Sequence, residues 1–159
     1  MLKIAICDDS RTDIEMLESA FDKLCQYPIE YDVYFSGEEL LTYCTLHDET
    51  YHLYIFDIEM PQLNGLELAK KIREKDAKAL FVFLTSYTKY VMDVFAVITF
   101  DYISKPITAE KLESVLLKAM QYLNLIKQDF GLMSIFWTQK VKLFYAALLA
   151  NNSHCSGVM

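Results

Sequence analysis

At 159 residues with 53% apolar side chains, the chain can bury one good core, and its length fits one domain with a fragment of a second. That apolar share excludes a disordered protein. The net charge of −7 is unevenly spread, since residues 1–127 carry 13 basic and 21 acidic side chains (−8) against two and one (+1) in residues 128–159; no Lys/Arg cluster of the kind that binds nucleic acid phosphates is present.

In chain order, Ile4-Ala5-Ile6-Cys7 is a short continuous apolar run, which predicts a strand covered on both faces. Ile14, Leu17, Phe21 and Leu24 follow at helical spacing, and Ser10 with Asp13 has the S-x-x-D arrangement that caps a first turn. From Ile29 to Phe35 apolar and polar residues alternate, with Ile29, Tyr31, Val33 and Phe35 set against Glu30, Asp32 and Tyr34. This is the pattern of a half-covered edge strand. Ser36 with Glu39 opens a second helix. Leu53-Tyr54-Ile55-Phe56 and Leu80-Phe81-Val82-Phe83-Leu84 are further buried strands, and Ile98 to Ile103 alternates like the other edge. Helices are predicted to begin near residues 11, 37, 63, 87 and 108, the last with a stripe of Leu112, Val115, Leu116, Ala119, Leu123 and Ile126. Strict alternation of strand and helix implies right-handed crossovers and a doubly wound, five-stranded parallel sheet in the order 2-1-3-4-5.

Cys7, Cys25, Cys44 and Cys155 lack C-x-x-C spacing, so reduced cytoplasmic thiols are expected. The apolar stretch after Met1-Leu2-Lys3 is too short for a signal peptide. Residues 132–150 are apolar-rich, but Ser134, Thr138, Gln139, Lys140 and Lys142 interrupt them, and no spanning helix is expected.

In an open parallel sheet the reactive crevice lies beyond the carboxyl ends of the strands. The residues there are Asp8 and Asp9, Asp57, Thr85 and Lys105. Three carboxylates converging in one crevice repel each other unless a cation joins them. An all-oxygen cluster with room for waters suits Mg²⁺.

Asp8-Asp9, Asp57-Ile58-Glu59-Met60-Pro61-x-x-Asn64-Gly65, Thr85 and Lys105-Pro106 resemble the signature of response-regulator receivers of two-component signalling, with a flavodoxin-like, chemotaxis-receiver-like fold. The resemblance covers residues 2–127. It implies that a sensor histidine kinase phosphorylates Asp57. Asp8, Asp9 and Asp57 would hold Mg²⁺, or Mn²⁺ in its place, together with the backbone carbonyl of Glu59. Thr85 would hydrogen-bond the phosphoryl group, Lys105 would pair with its oxygens, and Pro106 would follow a cis peptide. Such a domain catalyses its own phosphotransfer and dephosphorylation without being a conventional enzyme. The chemistry agrees, because phosphoryl transfer needs in-line positioning and charge cancellation more than covalent help.

Taken singly, Asp8, Asp9 or Thr85 would be read as helix caps, Lys105 as a solvated lysine and Asn64-Gly65 as a turn. The constellation outweighs those readings. Tyr102 is either a packing tyrosine beside Phe100 or, by resemblance, an aromatic whose rotamer switches together with Thr85. His47, His52 and His154 share no spacing that would make a ligand set. Glu59 matches a position that varies in type within the family.

Asp57-Ile58-Glu59-Met60-Pro61 and Phe100 to Ile107 are most similar to receivers of regulators carrying a LytTR-type DNA-binding domain. Residues 132–159 fit such a domain poorly, and their apolar side chains cannot form a core alone. The division expected is therefore a receiver at 1–127 and a tail at 128–159. A truncated or frame-altered regulator comes first among the explanations, and a single-domain regulator acting by protein–protein contact second. DNA would be bound only through an output domain incomplete in this chain. The fourth helix, fifth strand and fifth helix offer Lys89, Tyr90, Asp93, Asp101, Lys111 and Lys118, a mixed-charge face suited to a homodimer. A dehalogenase-like phosphatase would need D-x-D where this chain has Asp57-Ile58-Glu59, and a flavodoxin would need a phosphate loop where it has Cys7-Asp8-Asp9-Ser10-Arg11. A pseudo-receiver would lack one of the five site residues.

Overall fold

The structure, a computed structural model, describes residues 1–86 and 99–123, with the side chain of Thr85 left out. The strands are β1 (Leu2–Cys7), β2 (Ile29–Tyr34), β3 (Leu53–Asp57), β4 (Leu80–Thr85) and β5 (Asp101–Ser104). The helices described are α1 (Arg11–Asp22), α2 (Gly37–His47), α3 (Gly65–Lys75) and α4 (Ala109–Tyr122). All strand pairs are parallel, in the order β2-β1-β3-β4-β5, as the alternation predicts.

The continuous apolar runs are explained by two cores, one on each face of the sheet. Ile4, Ile6, Leu53, Ile55, Val82 and Leu84 point one way, onto Leu17 and Phe21 of α1 and Leu112 and Leu116 of α4. Ala5, Cys7, Tyr54, Phe56, Phe81 and Phe83 point the other way, onto Leu40 of α2 and Leu68 and Ile72 of α3. Each fully buried aromatic or branched side chain contributes about 1.5–3 kcal/mol, so neither face tolerates a charge. Side-chain oxygens cap every described helix: Ser10, Ser36, Asn64 and Thr108 accept the N–H of Asp13, Glu39, Glu67 and Lys111.

The edge strand β2 departs from its predicted facing. Tyr34, assigned to the polar set, is buried, while Phe35, assigned to the apolar set, is exposed just past the strand's end. The reason is that both faces of the sheet carry helices. Tyr34 packs into the α2–α3 core with its hydroxyl 2.6 Å from that of Tyr51. The Arg11 guanidinium lies 5.1 Å from the Phe35 ring centre. The third helix begins at Gly65 rather than near residue 63, because Asn64 is its cap.

Residues Met1–Ile126 form one compact unit. The helix expected from residue 87, the start of the last predicted strand at Ile98, and the tail from residue 128 lie outside the described residues. Among the described residues no helix is long and apolar enough to cross a membrane.

Candidate functional site

Strand register brings the site together. Cys7 pairs with Phe56, Asp57 with Leu84, and Thr85 with Ser104, so β1, β3, β4 and β5 end along one edge of the sheet. Asp8 and Asp9 follow β1, Asp57 is the last residue of β3, and Lys105 follows β5. Oxygens of Asp8, Asp9 and Asp57 lie within 4.8 Å of one another. Asp8 is only 1% exposed, whereas Asp57 is partly and Asp9 openly exposed.

Asp8 is tied down at both oxygens. Its Oδ1 accepts the N–H of Ser10 at 2.9 Å and its Oδ2 accepts from the Lys105 ammonium at 2.7 Å. The same ammonium donates to Asp13 Oδ2 at 2.8 Å and lies 3.2 Å from Asp57 Oδ2. Burial raises the Asp8 carboxyl above its ordinary range, with Lys105 and Ser10 opposing that rise and Asp57 adding to it. Burial would lower the Lys105 ammonium, but Asp13 and Asp8, with Asp57 behind them, carry it above its ordinary value. Three carboxylates, Asp8, Asp13 and Asp57, thus share this ammonium, and a further positive charge would be favoured there.

Beyond Asp57 the chain turns through Ile58 to Leu63, with Met60 and Gly65 both donating their N–H to the Ile58 carbonyl. Asp9, Ile58, Glu59, Met60, Pro61, Asn64 and Leu66 line an open cleft of about 440 Å³ next to the acids. Gly65 is required by space: a Cβ would collide with the Asp57 carbonyl oxygen. Asn64, read in the sequence as part of a turn, caps α3.

The other predicted residues are placed as follows. Thr85 ends β4, its side chain lying outside what is described. Tyr102 sits on β5 opposite Phe83, partly buried at the margin of the α2–α3 core, and burial raises its phenol. The Lys105–Pro106 peptide is cis. Asp13 was not foreseen as a site residue. Its sequence signal was absorbed by the capping-box pattern with Ser10, but only half of that box forms. Ser10 Oγ accepts the Asp13 N–H, whereas the Ser10 N–H goes to Asp8, which leaves the Asp13 carboxylate for Lys105.

With this geometry in hand, the chain matches the response regulator receiver domain over residues 4–117, and it belongs to that family. NatR, a transcriptional regulatory protein of Bacillus subtilis, is 30% identical over 112 residues, 70% of this chain and 47% of NatR. LytT, a sensory transduction protein of Oceanobacillus iheyensis, is 38% identical over 79 residues, 48% of this chain and 31% of LytT. Among solved structures, the response regulator TrrA of Thermotoga maritima, in complex with Mg²⁺-BeF, superposes with a TM-score of 0.63 at 32% identity, covering 75% of this chain and 99% of TrrA. The chain spans about half the length of NatR. It is thus a receiver domain of two-component response regulators with transcriptional regulators among its relatives.

Proposed function

We propose that this receiver accepts a phosphoryl group on Asp57 from a sensor histidine kinase in the cytoplasm, in a reaction that depends on Mg²⁺. One observation carries the reading: an exposed edge of Asp57 lies beside Asp8 and Asp9, with Lys105 Nζ 3.2 Å away. The donor's P–N bond breaks as a P–O bond forms to a carboxylate oxygen of Asp57, and the departing nitrogen keeps the electron pair and takes a proton. Lys105 meets the added negative charge, and buried Asp8 holds Lys105 at the sheet's edge.

The donor set fits a divalent cation, since three carboxylates within 4.8 Å and an adjoining open cleft suit a hard ion that keeps several waters. Asp8, Asp9 and Asp57 would hold it, with the Glu59 carbonyl as a further ligand. Bound there, Mg²⁺, or Mn²⁺ in its place, would supply charge neutralisation on the transferring oxygens. The Mg²⁺-BeF complex of TrrA supports this reading.

In the same proposal, Thr85 hydrogen-bonds the phosphoryl group and Tyr102 follows it. The output is control of transcription, a reading supported by the match to the transcriptional regulatory protein NatR, with a LytTR-type DNA-binding domain as its means. Borohydride trapping after treatment with phosphoramidate and Mg²⁺ tests the acceptor, because reduction of an aspartyl phosphate leaves homoserine. Homoserine at position 57 is expected; its appearance at position 8 or 9 would refute the assignment.

A further inference from the structure

We propose that Asp13 is a positioning residue that holds Lys105 off the phosphoacceptor, so that phosphorylation must first break the Asp13–Lys105 ion pair. The inference rests on the reading of Asp57 as acceptor and deepens it. The Lys105 ammonium makes two short hydrogen bonds, 2.7 Å to Asp8 and 2.8 Å to Asp13, while Asp57 stands farther off at 3.2 Å. Asp57 therefore has the weakest hold on the cation that, among the described residues, pairs with it.

Asp8 cannot give way easily, because it is buried and fastened by Ser10 as well. Asp13 can. Its side chain is 34% exposed, so water compensates its carboxylate once Lys105 leaves. Its place in the first turn of α1 also favours a carboxylate without any partner. The Ser10 cap binds the Asp13 backbone N–H, not its side chain, so removing the charge leaves the helix start intact. Asp13 lies outside the set of acids that approach within metal-binding distance of one another, and its effect runs through Lys105.

Linkage then sets the consequence: a contact made in the unphosphorylated form and lost in the phosphorylated one opposes the modification by its own free energy. A partly exposed ion pair of this kind corresponds to about a two- to fivefold effect on an equilibrium constant. Asp13 thereby raises the threshold for phosphorylation without touching the reacting atoms.

Calorimetric titration of the full chain with beryllofluoride in saturating Mg²⁺ reads this directly, alongside the phosphoramidate labelling rate. Asp13→Asn is expected to bind beryllofluoride about two- to fivefold more tightly than wild type, with Asp13→Glu returning toward the wild-type value. The gain should shrink in about 1 M salt, where screening extends only about 3 Å. Asp13→Ser removes the same charge and serves if Asp13→Asn folds poorly. Wild type that binds beryllofluoride, with both neutral variants binding equally or more weakly, would overturn the role of Asp13 and leave the acceptor reading standing. Wild type that takes neither beryllofluoride nor a phosphoryl group would overturn the acceptor reading itself.

Discussion

Gly65 lies directly against the backbone carbonyl of Asp57, so that the first turn of α3 and the last residue of β3 share one van der Waals boundary. Any side chain at position 65 must push Asp57 or the helix aside. Gly65→Ala is expected to cost about 1–3 kcal/mol of stability, the range for overpacking a filled site, and to slow labelling of Asp57. Urea unfolding checks the first; an unchanged midpoint would show that the loop from Ile58 to Leu63 absorbs the methyl group.

With Asp8, Asp9 and Asp57 as the proposed ligands, which only the folded chain assembles, Mg²⁺ should stabilise the fold by about 2.7 kcal/mol at a hundredfold excess over its Kd. Asp9→Ala is expected to remove the effect. Thermal melts with and without Mg²⁺ measure it, and an equal shift in that variant would place the ion elsewhere.

Asp8 predicts a trade of stability for function. Its folded-state carboxyl titrates above the ordinary aspartate value of 3.8 because it is buried. The folded protein therefore binds that proton more tightly than the unfolded chain. This contribution is complete below the ordinary value and is lost as pH rises through the raised one. With EDTA present, Asp8→Asn should melt higher than wild type at neutral pH, and the gap should close toward acid. A lower melting temperature for Asp8→Asn at neutral pH would mean that the Lys105 pair outweighs burial.

Much of this was legible in the sequence. Five strands, their order and the residues at their carboxyl ends follow from apolar runs covered on two faces, and the parallel register then gathers Asp8, Asp9, Asp57 and Lys105. Periodicity misled at Tyr34 and Phe35, because alternation assumes one covered face and β2 has helices on both sides at its end. Asp13 was hidden by a local pattern. Spacing along the chain shows what Ser10 can reach, but not that Lys105, 92 residues away, arrives beside the same turn.

On the expected dimer face one ion pair is already formed within the molecule. Asp101 and Lys118 pair with each other at 2.8 Å within the same molecule, so their charges are already matched before a second copy arrives; Lys89, Tyr90 and Asp93 lie outside the described residues. Phosphorylation is nevertheless expected to strengthen self-association, with Asp101→Asn changing it little. Sedimentation of both forms, repeated on a chain ending at Lys127, checks this. Identical masses for the two shortened forms would assign any association to residues 128–159.

The acceptor claim is tested most directly by intact mass after incubation with phosphoramidate. Wild-type protein with Mg²⁺ should gain one phosphoryl group, about 80 Da, with little gain in EDTA and none in Asp57→Asn under either condition. Equal labelling of Asp57→Asn, or wild type that stays unmodified in Mg²⁺, would contradict the assignment of Asp57.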